Sequence, residues 1–284
     1  MAINIYETPD VFLTKTNHEN PPHNKIIFEE YFYNWFINNN ITTDRVYLPI
    51  FWTNYNISRN FGSDDMSDIK IFLSNLDKNK KYFTIVQYAD GILQNIDELD
   101  IKIFGCGGGG LMTISDKNIG YPTPLVCQPN PNINVNKNRD ILCSFVGVIR
   151  GRHKVREKMQ QLLKGNGFLI SERLTYNKFT DIMERSIFSL CPRGYGKTSF
   201  RICESLQHQS IPIYIYDTPW IPFKDVFDFN EIGILIHESD INKIPDIIKN
   251  KTAEDIKGYV KNGKEVYEKY FSFDGLCQQI IENL

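Results

Sequence analysis

The stretch SIFSLCPRGYGKTSFRICESLQHQSIPIYIYD, residues 186–217, decides the fold. An apolar run of strand length, SIFSLCP, leads into a loop with two glycines. The loop opens SFRICESLQHQ, whose apolar residues fall at helical spacing, and that helix leads into a second apolar run, IPIYIYD. Strand, helix and strand within about 30 residues make one parallel βαβ unit. Outward from it the alternation continues. Upstream, ILCSFVGV (141–148) reads as a strand, HKVREKMQQLLKG (153–165) as a basic helix, and residues 180–185 as another helix. Earlier still, EEYFYNWFINN (29–39) has a helical apolar stripe, while RVYLPIFW (45–52), KYFTIVQY (81–88) and IKIF (101–104) are aromatic and β-branched runs typical of strands. The Pro- and Asn-rich residues 121–138 read as a linker. Downstream lie the loop TPWIPF and a tail, 253–284, of two helices. The later helix carries Phe273, Leu276, Ile280 and Ile281 on a face that needs a partner surface.

Composition narrows the function classes. The 284 residues suffice for one large α/β unit or two compact halves, and 42% hydrophobic with 23% charged residues is an ordinary globular balance. A formal charge of -2 leaves no global basic field for nucleic acid or an anionic membrane, so any anion site is local. The six cysteines show no CxxC or Cys/His zinc spacing and read as reduced, mostly buried thiols. The opening MAINIYETPDVFLTK has no secretory pattern, and no apolar run reaches spanning length, so the expectation is a cytoplasmic protein without an anchor.

Three motifs carry candidate chemistry. FGCGGGG satisfies GxGxxG through Gly105, Gly107 and Gly110, but the following LMTISDKNIGYPTP is no helix former and cannot aim a helix N-terminus at a pyrophosphate. CPRGYGKTS ends like an ATPase phosphate loop in Gly196, Lys197 and Thr198. Cys191 stands where that motif needs its first glycine, however, and Pro192 removes a backbone donor. An ATP-dependent phosphotransferase, with Asp217 as its magnesium-type aspartate, therefore stays only an alternative. The remaining signal is a helix start facing an anion: free amides near Thr198, Ser199 and Phe200, with Arg193 in the loop and Arg201 in the first turn. Glu204, three residues beyond Arg201, could accept both ribose hydroxyls of a nucleotide or simply pair with Arg201 along the helix. The basic loop Arg150, Arg152, His153, Lys154 and Arg156 follows a strand and could reach the same diphosphate or be a solvated face. Trp220 could stack on a ring or pack in the core; His208 and His237 read as structural.

The run MERSIFSLCPRGYGKTSFRICESLQHQSIPIYIYDTPWIPFKDVFDFNEIGILI, residues 183–236, resembles the signature of the exostosin-like glycosyltransferases. The strand into CPRG, the SFRxxES helix, the SIPIYI strand and the WxxPFxD loop through Trp220, Pro222, Phe223 and Asp225 carry the likeness. VYLPIFW, YFTIVQYADG and CSFVGVIRGRHKVREKM look like weaker counterparts of family strands. The resemblance implies an α/β fold of GT-B type: two Rossmann-like domains facing a central cleft, with the C-terminal helices returning to the N-terminal half. The expected bounds are 1–130 for the acceptor side, 131–265 for the nucleotide-sugar side and 266–284 for the returning helix.

It also implies transfer of a sugar from a UDP-sugar to a hydroxyl of a glycan acceptor with inversion. Arg193, Ser199, Arg201 and Glu204 match the donor motif, and Arg150 or Arg156 a basic position before it. No cofactor, metal, nucleic acid or membrane span is expected, because fixed cations can neutralise the departing diphosphate and no DxD pair is present. The donor sugar reads as neutral, xylose or galactose ahead of glucuronate. The base reads as Asp90 in YADG, with Asp64 and Asp65 as alternatives. The contrasting class is a catalytically silent family member that binds glycan or acts as a scaffold.

Overall fold

A computed structural model describes residues 4–15, 26–107, 118–165 and 167–284. The chain divides into two α/β units, Met1–Pro124 with Phe273–Leu284, and Leu125–Ser272. The fold class is the expected one, with a wholly parallel sheet in each unit.

In unit 1 the strands β1 (Val46–Tyr47), β2 (Lys81–Val86), β3 (Asp100–Gly105) and β4 (Asn118–Pro122) lie in that order. One face of the sheet carries helices α2 (Trp52–Ser58) and α3 (Ser67–Ser74), packed through Trp52, Tyr55, Ile69 and Leu73 on Tyr82, Val86, Ile101 and Ile103. The other is an aromatic layer. Phe32 and Phe36 of α1 (Phe28–Asn38) meet Tyr47 and Phe83, with ring centroids 5.1 to 6.2 Å apart. Helix α9 (Phe273–Glu282) closes this layer: Phe273 lies 5.5 Å from Phe28 and 4.8 Å from Tyr31, whose hydroxyl donates to Asp274 at 2.6 Å. The apolar face expected on the last helix thus finds its partner in α1, with Cys277 buried among it and Ile281 half-buried.

The expected strand over 45–52 shrinks to two residues. Leu48 still donates to the Phe83 carbonyl at 2.8 Å, but Pro49 has no N–H to continue the ladder, so pairing stops there and the chain turns. Trp52 then starts a helix, its indole N–H donating to Thr84 Oγ1 at 2.9 Å inside the core. Strand β4 occupies part of the segment that follows the glycine run and the start of the expected linker. Gly110 of that run lies outside the described residues, so the GxGxxG geometry does too.

Unit 2 runs β5 (Ile141–Val146), α4 (Val155–Leu163), β6 (Leu169–Ser171), α5 (Tyr176–Arg185), β7 (Ser186–Pro192), α6 (Phe200–Gln207), β8 (Ile211–Tyr216), β9 (Ile234–His237), α7 (Ile244–Lys249) and α8 (Ala253–Val266). Its sheet has the order β6-β5-β7-β8-β9. Alternation along the strands gives two different faces. Cys143, Phe145, Phe188, Leu190, Ile211, Ile213 and Ile215 pack with Val155, Met159 and Leu163 of α4. On β7 the opposite residues are small: Ser189 hydrogen-bonds Met183 of α5 at 3.6 Å, and Cys191 Sγ lies 3.4 Å from Ser205 of α6. Small side chains let α5 and α6 approach the strands closely. All six cysteines are free and buried.

Gly233 marks the tightest turn into the sheet. A Cβ there would sit 2.4 Å from the Pro212 carbonyl oxygen and 2.9 Å from Pro212 Cγ. Gly233→Ala is expected to push β9 off β8 and destabilise unit 2 by about 2 kcal/mol, read as a melting temperature several degrees lower; an unchanged melting temperature contradicts this packing.

Candidate nucleotide site

The strand order of unit 2 fixes where a ligand can enter. The chain goes from β5 outward to β6 and then back across to β7, so the crossovers leaving β5 and β7 diverge. In an open parallel sheet that reversal leaves a crevice at the strands' carboxyl ends. Two segments flank it here: residues 147–154 after β5 and 193–199 after β7.

Three arginines fasten these segments. Arg156, in the first turn of α4, donates to the carbonyls of Arg193 (3.1 Å) and Val148 (2.9 Å). Arg201, in the first turn of α6, donates to the Val146 carbonyl and lies with its Cζ 4.3 Å from the Phe179 ring centroid. Arg193 donates through Nε to the Gly196 carbonyl at 3.1 Å and through Nη1 to both oxygens of Asp217 at 2.6 Å. The guanidinium carbons of Arg156 and Arg201 lie 5.7 and 5.9 Å from the centroid of the Phe145 ring. Burial, with the nearby Arg201 charge, holds the Arg156 pKa below the usual guanidinium value. Glu204 is the carboxylate close to this pair, 3.1 Å from Arg201 Nη1. Arg201 Nε is buried without a hydrogen-bond partner.

Helix α6 begins at Ser199, whose extended backbone and side-chain oxygen, accepting from Arg201 N at 3.3 Å, make it the cap. Thr198 and Ser199 are buried beside it. The loop before the helix is closed by Gly194 N donating to Thr198 O (2.8 Å) and by the Tyr214 hydroxyl donating to Lys197 O (2.6 Å).

Arg156, Thr198, Ser199, Arg201 and Glu204 therefore come together, while Arg150 is exposed at the exit of β5. Arg201 and Glu204 form the intrahelical pair that the sequence offered as the plain alternative. Arg193 is 6% exposed and braces the loop rather than facing outward. Its partner is the Asp217 that a phosphotransferase would place on magnesium: burial alone would raise that carboxyl, but the Arg193 bonds outweigh it and hold its pKa below the usual range. Cys191 and Pro192 are ladder residues of β7, so the ATPase-type phosphate nest does not form. Trp220 is buried, and its backbone N–H donates to the Tyr214 hydroxyl at 3.2 Å. His208 is buried, and that burial lowers its pKa. Among the described residues no group of three His, Cys, Asp or Glu side chains is arranged for a metal ion, and no helix is long and apolar enough to cross a membrane.

In unit 1 the candidate carboxylates lie on two loops at the carboxyl edge of the sheet. Asp90 is half-buried in a turn after β2, closed by Gly91 N donating to Tyr88 O at 3.1 Å with Gly91 at φ 75°. Asp65 is taken up by Ser67, whose N–H and hydroxyl both donate to it at 2.9 Å at the start of α3. Asp64 is exposed. The two loops are neighbours, since a Cβ on Gly62 would touch Leu93 Cδ1 at 2.5 Å.

The residue that sequence reasoning missed is Glu29. It is 1% exposed in the first turn of α1 and accepts from Thr53 N (2.9 Å), Thr53 Oγ1 (2.9 Å) and Gln87 N (2.6 Å), with the Tyr88 amide at the same carboxylate. Burial pushes its pKa from the usual 4.5 up to about 7, although these donors pull the other way. Nothing in EEYFYNWF sets it apart from a solvated helix-start acid except the aromatic residues around it.

Residues 112–251 match the model of the Exostosin GT47 domain. The chain is 29% identical over 93 residues to an exostosin-1 homolog of Caenorhabditis elegans, covering 33% of this chain and 24% of that protein. It is 28% identical over 141 residues to a probable glucuronoxylan glucuronosyltransferase of Arabidopsis thaliana (46% and 32%), and 30% identical over 190 residues to a probable glucuronosyltransferase of Oryza sativa subsp. japonica (62% and 44%). The chain thus spans less than half the length of these curated relatives. Among solved structures, Anabaena HepE in complex with UDP-glucose aligns at TM-score 0.45 and 11% identity over 84% of this chain and 78% of that one.

Because Glu29 keeps its proton more tightly folded than unfolded, its contribution to stability is complete below pH 4.5 and lost as pH rises through about 7. Set against Glu29→Gln, which shares every other titration including that of His208, the wild type is expected to lose roughly 3 kcal/mol of relative stability between pH 4.5 and 8. Chemical denaturation across that range measures it, and a pH-independent difference refutes it. The β5–β7 crevice thus lies inside the part of the chain that is similar to the Exostosin GT47 domain and to the exostosin-type relatives.

Proposed function

We propose that this chain is an inverting glycosyltransferase that moves a sugar from a UDP-sugar to a glycan hydroxyl without a metal ion. The observation that carries the reading is the pairing of Arg156 and Arg201 with the start of α6 at the switch point of the unit 2 sheet. Two fixed guanidinium groups and a helix N-terminus suit a diphosphate and need little rearrangement when charge develops on it. Glu204 would accept the ribose hydroxyls as a diphosphate replaces it on Arg201 Nη1, the bond to Val146 keeping the guanidinium in place.

The acceptor oxygen attacks the anomeric carbon as the bond from that carbon to the diphosphate breaks, through an oxocarbenium-like state of the kind met in glycoside hydrolysis. Asp90 takes the hydroxyl proton, and UDP leaves with the charge held by Arg156 and Arg201. Asp64 is the alternative base; Asp65 is less suited because Ser67 already occupies both its oxygens. The names of the plant relatives favour UDP-glucuronate over UDP-xylose or UDP-galactose, and exposed Arg150 supplies the cation a uronate would need.

Two experiments test this reading. UDP, but not ATP, is expected to raise the melting temperature, and Arg201→Ala to weaken UDP binding at least tenfold; equal shifts with ATP, or unaltered binding by the variant, overturn the donor site. Asp90→Asn is expected to abolish sugar transfer, followed as UDP release in the presence of chelator, while UDP binding persists; retained turnover removes Asp90 from the mechanism, and loss of wild-type activity in chelator removes metal independence.

A further inference from the structure

We propose that Glu29 is a positioning residue of the acceptor side, whose carboxylate holds the segment leaving β2 and through it the placement of Asp90. The inference rests on the assignment of Asp90 as base. Its grounds are the bonds of one buried side chain to two separate segments. Thr53 N and Oγ1, at the start of α2, and Gln87 N, the first residue beyond β2, all donate to Glu29 within 2.9 Å. The tie is reciprocal, because Gln87 Oε1 accepts from Phe28 N at 2.9 Å, so the first turn of α1 and the exit of β2 cap each other.

From the opposite side Gly107 holds the same segment. A Cβ there would lie 2.6 Å from Ala89 Cα and 2.7 Å from Tyr88 O, so only glycine lets the backbone after β3 lie against residues 88 and 89. Gly107 of the FGCGGGG run thus has a packing use unrelated to dinucleotide binding. Asp90 comes one residue after this clamp, at the third position of the turn that Gly91 closes.

A carboxylate suits the task because it only accepts, and its two oxygens can take up all four donors at once. A glutamine in its place would turn an N–H₂ group towards backbone N–H groups. A residue needed only to cap α2 would have no reason to reach Gln87.

Hydrogen exchange and kinetics together decide the matter. In Glu29→Gln the amides of residues 87–91 are expected to exchange at least tenfold faster while those of β7 and β8 keep wild-type rates. The variant's kcat should fall at least tenfold with the KM for the UDP-sugar unchanged. Thr53→Ala, which removes one bond and leaves the carboxylate in place, should show the same pattern at a few-fold scale if the glutamine variant does not fold. Wild-type exchange at residues 87–91 in both variants, or an unchanged kcat in a variant whose residues 87–91 exchange faster, overturns the proposal. Full activity of Asp90→Asn alone would overturn the assignment of the base, and the exchange data would still judge the hold of Glu29 on the loop.

Discussion

A guanidinium that donates to a backbone carbonyl immobilises the segment carrying that carbonyl, and unit 2 applies this at every corner of its crevice. Val146, Val148, Arg193 and Gly196 all offer carbonyls where strands end and ladder partners run out, and Arg156, Arg193 and Arg201 satisfy them. Left unpaired, a buried carbonyl such as that of Val146 would cost on the order of 1–3 kcal/mol. The same bonds that complete the backbone therefore hold two positive charges beside Phe145, fixed before any ligand arrives. Arg193 takes the third role, with Asp217 balancing its charge, and shapes the loop from which α6 departs.

Unit 1 solves the equivalent problem with the opposite charge. There the groups lacking partners at a strand exit and a helix start are N–H donors, and one acceptor, Glu29, collects them. Burial makes ionisation costly, as its raised pKa records, and the four donors recover part of that cost. Cations gather carbonyls in one unit and a carboxylate gathers amides in the other. In both, polar groups bind backbone at the carboxyl edge of a parallel sheet, the edge where such folds keep their chemistry.

Much of the architecture was legible because periodicity reports burial. The strand-helix-strand reading of residues 186–217 holds element by element, and the stripe through Phe273, Leu276 and Ile280 announced a buried face. Pro49 shows where that reading fails: VYLPIFW is apolar throughout, so pattern alone cannot tell a strand from a strand end followed by a buried helix start. Helices α2 and α3 escaped notice for a related reason, since Asn, Ser and Asp dilute their stripes. Residue type and spacing singled out Arg156, Arg201 and Glu204 as candidates, but not what each side chain bonds. Arg193 looked like a ligand because it stands in a loop, and its role as a brace depends on Asp217, 24 residues away. Glu29 was beyond reach because its partners, Thr53 and Gln87, are ordinary residues made special only by folding.

The salt bridge within α6 and the proposed ligand contact are compatible. Arg201 spends its Nη atoms on Glu204 and Val146 while its Nε has no partner, so the guanidinium is under-satisfied as it stands. A diphosphate at the start of α6 would offer more acceptors and more charge than one carboxylate, and the guanidinium fork matches phosphate oxygens in geometry. Glu204, released from the pair, would be left at 18% side-chain exposure with a charge to solvate, a condition that two ribose hydroxyls relieve. Diphosphate and ribose belong to one molecule, so neither exchange is favourable without the other. On the proposed reading, a pair of this kind would favour a nucleotide over a bare phosphate by its own chemistry, without any further contact to the base.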